Sequence, residues 1–170
     1  GYTGWRIAEY MYRNGHSVTC IAGKTSSDSE FILPRVIRAG EPNQMLKVCK
    51  DVATENPDAW IHAAAVLDYF TSPLDSKKLS GSESWQLSLQ PGPKHILELV
   101  EHIDSPKRIG FKLETDVDLE ELKQKSLTQI SNYGVDATIA NIMGQIHDEN
   151  TPRAYIVTPD GAMNPLRDIE

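Results

Sequence analysis

The sequence predicts an α/β fold in which a doubly wound, mainly parallel sheet is covered by helices on both faces. Short β-branched or apolar runs alternate with amphipathic segments of about 10 to 15 residues, a pattern typical of βαβ units. The run at 58–66, DAWIHAAAV, is nearly continuously apolar and indicates a parallel strand buried on both faces. Near the end of the chain, apolar runs flank Pro159-Asp160-Gly161 and predict a C-terminal β-hairpin extension.

The individual elements follow from the same periodicities. Gly15 is expected to close the first helix, Thr115 or Asp116 to cap the last one, and Pro34 to place its strand at an edge or a bend. The serine-rich segment at 70–84 carries no usable periodicity and is predicted to be a long loop. The predicted helices cover 4–14, 42–56, 94–103 and 117–131, and the predicted strands cover 16–23, 31–39, 58–66, 85–90, 108–114 and 136–143.

Length and charge exclude several classes of protein. The 170 residues predict a single domain, and 24 acidic against 17 basic residues argue against a nucleic-acid-binding surface or a basic membrane anchor. Since no apolar run approaches about 18 residues, no membrane span is predicted. Cys20 and Cys49 lack ligand spacing and are expected to be reduced thiols of a cytoplasmic protein.

Polar residues follow three of the predicted strands. Asp68 comes after the strand at 58–66, Lys112–Thr115 end the strand at 108–114, and Asn141 follows an apolar run. Because ligands of such sheets bind beyond the carboxyl ends of the strands, these groups predict a polar site at one edge.

Two further features suit an anionic ligand. Gly1 and Gly4 precede a helix, so backbone N–H groups and the helix N-terminus could face a phosphate. Lys77 and Lys78 lie in the long loop, where a mobile ammonium could reach a triphosphate or a developing acyl-phosphate charge. The five histidines show no zinc-ligand spacing, and no residue is assigned to a metal.

A series of segments, taken in order, carries the motifs of one enzyme family. The segments are GYTGWRIAEYMYRNGHSVTCIAG, HAAAVLDY, KKLSG, LSLQPGPKHIL, IGFKLETD, LKQKSLTQI and VDATIAN. The series resembles phosphopantothenoylcysteine synthetase (phosphopantothenate–cysteine ligase), an enzyme of coenzyme A biosynthesis, over about residues 1–160.

This resemblance implies a Rossmann-like domain that forms a homodimer and joins 4'-phosphopantothenate to L-cysteine. A nucleoside triphosphate, CTP or ATP, with Mg²⁺ would activate the substrate carboxylate as an acyl-nucleotide, an acyl-cytidylate where CTP is used, and release pyrophosphate. The amine of cysteine would then displace the nucleoside monophosphate. The family's substrate-binding Asn and its strand would lie upstream of Gly1, so the resemblance implies that this single domain lacks that segment.

The resemblance also assigns residues to the site. Lys78 corresponds to the catalytic loop lysine, which also contacts the nucleotide, with Lys77 as the alternative register. Gly1 and Gly4 correspond to the glycine turn at the substrate or phosphate, and Gln129 stands where the family has a second lysine. The other implied nucleotide contacts are Ala64, Asp68, Pro93, Lys94, His95, Ile96, Phe111 and Lys125.

Two alternatives remain open at this point. An NAD(P)-dependent reductase would also have a glycine turn and an Ala-Ala strand end. It would need a third glycine where the chain has Arg6 and Ile7, and a Tyr-x-x-x-Lys pair, which no tyrosine provides. A non-catalytic nucleotide-binding domain would bind a triphosphate without releasing pyrophosphate, and Gln129 is compatible with it.

Overall fold

The fold was analysed in a computed structural model that describes residues 1–25, 27–71, 88–103, 107–146 and 148–166. The helices are α1 (Tyr2–Arg13), α2 (Pro42–Ala53), α3 (His95–Glu98) and α4 (Leu119–Tyr133), with 3₁₀ turns at Val100–His102 and Met143–Gln145. The strands are β1 (Cys20–Ala22), β2 (Val36–Arg38), β3 (Ala59–Ile61), β4 (Tyr69–Thr71), β5 (Leu89–Pro91), β6 (Lys107–Glu114), β7 (Ala137–Ile142), β8 (Ala154–Val157) and β9 (Met163–Leu166).

The strands form a mixed, mostly parallel arrangement, which confirms the predicted fold class. A five-stranded sheet has the order β3-β6-β7-β8-β9. The strands β3, β6 and β7 are parallel to one another, and β8 runs antiparallel to both of its neighbours, β7 and β9. The β8–β9 hairpin, with Gly161 at φ +82°, confirms the predicted C-terminal extension. A separate parallel pair joins β1 to β2, and β4 pairs with β5 in the antiparallel sense.

Each long helix buries one apolar face against these strands. Helix α4 packs Leu122 and Ile130 on β7 and β8, while Met45, Cys49 and Ala53 of α2 pack with residues after α3. Burying one such aliphatic side chain contributes about 1.5–3 kcal/mol, so these faces fix the positions of the helices. None of the described helices is long and apolar enough to cross a membrane.

The start of α4 differs from the prediction. The helix is capped by Asp118, whose carboxylate accepts a hydrogen bond from the Glu121 N–H at 2.8 Å, so the expectation of Thr115 or Asp116 was wrong. Asp116 instead adopts a left-handed backbone conformation, with φ +54°, in the turn between β6 and the helix. That turn moves the start of α4 two residues along the chain.

The strand predicted at 58–66 is also shorter than expected. It ends at Ile61, and the His62 N–H makes one more hydrogen bond, to the Ile109 carbonyl, before the chain leaves the sheet. Asp68 therefore lies in the connection to β4 rather than directly at the strand end. Phe70 and Thr71, the first residues of the loop predicted at 70–84, belong instead to the strand Tyr69–Thr71, which pairs with the distant segment Leu89–Pro91. The rest of that predicted loop lies outside the described residues.

Candidate functional site

A cavity of about 850 Å³ lies between α1, β1, β3, α3 and α4. Its apolar part is lined by residues of the helices α1 and α2 and of the strands β1 and β3. They include Ile7, Met11, Ile21, Met45, Val52 and Ile61. Its polar part, which we call the polar cleft, is lined by Asp68, Lys94, Lys112, Lys125, Gln129 and Tyr133. The cleft lies beyond the carboxyl ends of β3 and along β6, where a parallel sheet places its ligands.

All of the residues that the resemblance assigns to the site and that the structure describes line this one cavity. They are Gly1, Gly4, Ala64, Asp68, Pro93, Lys94, His95, Ile96, Phe111, Lys125 and Gln129. Lys78 and its alternative Lys77 fall outside the described residues. Asn141 is described, on β7, but does not line the cavity. The shared location was predicted; the role of each residue stays a prediction.

The start of α1 lies against the chain that leaves β3. A Cβ built on Gly4 would stand 3.5 Å from the Ala63 Cβ, an ordinary contact distance. The helix begins at Tyr2, so Gly4 lies inside its first turn and Gly1 is the N-cap. The N-terminus of α1 therefore directs its positive dipole end and unpaired N–H groups toward the cavity.

Gly92 joins the segment that carries Asp68 to the one that carries Lys94, and sequence reasoning missed it. The Gly92 N–H donates to the Asp68 carbonyl at 2.7 Å, and a Cβ at this position would lie 2.8 Å from the Leu67 carbonyl oxygen. Any larger residue would push the two segments apart. Its signal in the sequence is the Pro91-Gly92-Pro93 punctuation, which predicts a turn but not its partner.

Arg108 is a second residue that sequence reasoning missed. Its side chain is buried, and its guanidinium donates to the carbonyls of Tyr133, at 2.8 Å, and Ile96. Its Nη2 also lies 3.4 Å from His62 Nε2. One side chain thus connects α3, the end of α4 and the chain after β3, three segments that line the cavity. Burial lowers the pKa of Arg108 from its ordinary value.

Two histidines, the half-buried His62 and the buried His95, lie near this arginine. Burial, with smaller effects of Arg108 and His95, lowers the pKa of His62 to about 3, so that ring is neutral at physiological pH. Burial also lowers the pKa of His95, whose Nε2 has no hydrogen-bond partner within the described part of the chain. Neither ring contributes positive charge to the cleft.

The lysines of the polar cleft are each held by a neighbour. Lys94 Nζ donates to the Tyr133 hydroxyl at 3.1 Å, and this hydrogen bond raises the pKa of the lysine. Lys112 and Lys125 each lie 2.8 Å from an oxygen of Glu114. The hydrogen bonds from Lys112 and then from Lys125 hold the pKa of the Glu114 carboxyl below its usual range.

Gln129 occupies a neutral position between these lysines. Its Nε2 donates to the Phe111 carbonyl at 3.2 Å, and its Oε1 is buried without a partner in the described ranges. The cleft therefore combines the carboxylate of Asp68 with several ammonium groups, and Phe111 also lines the cavity. Such a set can bind an anionic ligand.

The fold and the cleft together define a Rossmann-like α/β domain with a polar ligand cleft at the carboxyl ends of its parallel strands. The chain belongs to the DNA/pantothenate metabolism flavoprotein C-terminal domain family, whose model matches residues 1–169. The resemblance found in the sequence motifs is thereby confirmed.

Two curated relatives are coenzyme A biosynthesis bifunctional proteins CoaBC from archaea. The relative from Thermococcus kodakarensis is 30% identical over 84% of this chain, and the one from Methanocaldococcus jannaschii is 27% identical over 93%. The chain spans 35% and 38% of the lengths of these relatives, so only part of each is comparable.

Solved structures share the fold at lower sequence identity. The DNA/pantothenate metabolism flavoprotein from Streptococcus pneumoniae superposes with a TM-score of 0.82 at 23% identity, covering 94% of this chain and 78% of that one. A Cab2 mutant in complex with phosphopantothenate-cysteine gives a TM-score of 0.72 at 20% identity, covering 96% and 70%. These likenesses show the same fold.

Proposed function

We propose that this chain is a ligase domain that joins 4'-phosphopantothenate to L-cysteine through an acyl-nucleotide intermediate. The observation that carries the proposal is the convergence of the predicted site residues in one cavity, contributed by α1, α3, β6, α4 and the chain after β3. Support comes from the family, named for pantothenate metabolism, and from the structural neighbour that was solved in complex with phosphopantothenate-cysteine.

The residues of the cleft supply groups suited to each part of a nucleoside triphosphate. Phe111 offers an aromatic surface for the base, and Lys125 offers an ammonium for the phosphates. The small side chain of Ala64 would let the nucleotide approach the backbone. The start of α1 at Gly1 and Gly4 would face the anionic groups of 4'-phosphopantothenate. Lys78 would stabilise the charge that develops as the acyl-nucleotide forms.

Magnesium would enter with the triphosphate rather than occupy a protein site of its own. No group of three or more His, Cys, Asp or Glu residues suited to a metal ion occurs within the described ranges. This suits Mg²⁺, which commonly keeps several waters and uses one or two carboxylates together with substrate phosphates. Asp68 is the carboxylate in position to assist, and the ion would neutralise phosphate charge.

A further parallel strand would complete the sheet between β1 and β3. Within the described residues β1 pairs with β2 and β3 pairs with β6, so each has one edge without a strand partner. Both strands line the same cavity, where Ile21 and Ile61 contribute apolar side chains. A strand leading into α1 and crossing over to β1 would fill this space, as right-handed βαβ connections do.

The reaction can be tested by measuring pyrophosphate release from the full-length protein with 4'-phosphopantothenate, L-cysteine and either CTP or ATP. The proposal expects release that requires both substrates and one preferred triphosphate. Lys78→Gln should nearly abolish turnover while sparing triphosphate affinity; an active variant would remove Lys78 from catalysis. Triphosphate binding without pyrophosphate release would instead favour the non-catalytic nucleotide-binding domain.

The same preparation tests the homodimer that the resemblance implies. Sedimentation at several concentrations should give the mass of two chains, and a constant mass of one chain would contradict it.

A further inference from the structure

Lys112 is a cation of the polar cleft that its place at a strand end predicted, but neither the family resemblance nor the proposed reaction gives it a role. It lies on β6 directly after Phe111, and its side chain is 34% exposed. We propose that Lys112 binds the phosphates of the nucleoside triphosphate together with Lys125. This inference rests on the proposed function and adds a specific ligand-binding residue to it.

Glu114 holds the two ammonium groups side by side. Lys112 pairs with Oε1 and Lys125 with Oε2, each at 2.8 Å, so one carboxylate carries a lysine on either oxygen. The Glu114 side chain is only 17% exposed. Because strand neighbours two apart share a face, Lys112 and Glu114 both face α4, the helix that provides Lys125.

The charge balance makes Lys112 the more available of the two lysines. Lys125 also lies 3.1 Å from Glu121, whereas the described ion pair of Lys112 is with Glu114. If the Lys112 ammonium turned toward a phosphate, it would lose its partly exposed ion pair with Glu114, which contributes about 1 kcal/mol or less. A phosphate oxygen would replace that partner with a charge-assisted hydrogen bond.

The other polar residues of the cleft cannot supply the same charge as readily. Gln129 is neutral, and its amide is committed to the Phe111 carbonyl. Lys94 donates to the Tyr133 hydroxyl at the end of α4, about two helical turns beyond Lys125. A triphosphate bears several negative charges, and in this part of the cleft Lys112 and Lys125 are the lysines that one shared carboxylate already places together.

Calorimetric titration of CTP and of ATP, each with Mg²⁺, into the full-length protein tests this assignment. Lys112→Met should raise the dissociation constant of the preferred triphosphate about tenfold and weaken its dependence on salt. Lys112→Arg keeps the charge and should stay within about threefold of the wild type. Gln129→Lys added to Lys112→Met should recover part of the lost affinity, since it restores a cation to the same wall.

Lys107→Met is the matched control, because Lys107 lies on the same strand, is exposed, and pairs with Asp136 away from the cavity. It should bind the triphosphate as the wild type does. Wild-type affinity in Lys112→Met, or an equal loss in Lys112→Arg, would overturn the inference and leave the proposed function standing. Failure of the wild type to bind either triphosphate would overturn both.

Discussion

Asp68 provides a carboxylate in the polar cleft on the wall that carries Lys94. Asp68→Asn keeps the shape of the side chain but removes the negative charge that would assist the Mg²⁺ bound to the phosphates, so it should weaken binding of the magnesium–triphosphate complex about tenfold. Titration calorimetry measures this, with Asp51→Asn on the exposed face of α2 as the control. An unchanged dissociation constant would show that Asp68 does not contribute to triphosphate binding and is only part of the connection to β4.

His62 should make the folded protein sensitive to mild acid. Its folded pKa is about 3, whereas the ordinary value is 6.5, so between these values the unfolded chain binds a proton that the folded protein does not. The free energy of unfolding should therefore fall as pH drops below about 6.5, by at most about 1.4 kcal/mol per pH unit.

His62→Gln removes this titration and keeps a hydrogen-bond acceptor near Arg108. From about pH 7 to about pH 5, where carboxylates titrate little, its melting temperature should decline less than that of the wild type. His102→Gln, at an exposed position, serves as the control and should follow the wild type. Parallel declines in all three proteins would show that His62 is not the group responsible.

At the scale of elements, β6 organises the site through the face that it turns to α4. Along that face Arg108 contacts the end of α4, Gly110 lies beneath Gln129, and Glu114 meets Lys125. The absence of a side chain at Gly110 matters, because a Cβ there would stand 3.0 Å from Gln129 Nε2. The strand therefore sets the distance between the sheet and the helix that lines the cleft.

Arg108→Met should destabilise the protein by about 3 kcal/mol or more, because it leaves buried carbonyls of α3 and α4 without donors. Chemical denaturation measures the change. Lys107→Met, one residue earlier and exposed, should cost about 1 kcal/mol or less. Equal effects of the two substitutions would contradict the role of Arg108 in holding the three segments together.

At the scale of the whole molecule, we expect that a strand added between β1 and β3 would protect both of these strands. The chain can be fused to the residues that directly precede the matching region in the Thermococcus kodakarensis relative, which is longer. Hydrogen exchange should then slow at the amides of Cys20–Ala22 and Ala59–Ile61, because a central strand would pair with both edges. The melting temperature should rise as well.

A scrambled extension of the same length and composition is the control for that experiment. It should leave exchange at β1 and β3 unchanged. Identical protection with the native and the scrambled extension would show that the space is not occupied by a strand.

Several features of this protein could be predicted because they depend on local patterns. The alternation of strands and helices, the hairpin at Pro159-Asp160-Gly161 and the cluster of site residues all follow from periodicity, turn chemistry and motif order. Where prediction failed, distant partners decided the outcome. Tyr69–Thr71 became a strand through Leu89–Pro91, and Asp118 rather than Thr115 or Asp116 became the cap of α4.

The sequence by itself determined the α/β class, the family and the set of polar residues at one edge of the sheet, since each is encoded in neighbouring residues. Only the tertiary structure decided how those residues are arranged. It placed Lys112 and Lys125 on one carboxylate, tied Gln129 to a backbone carbonyl, and made Gly92 and Arg108 the supports of the cleft. These contacts join residues far apart in the chain, and their geometry depends on the packing of whole elements rather than on any local pattern.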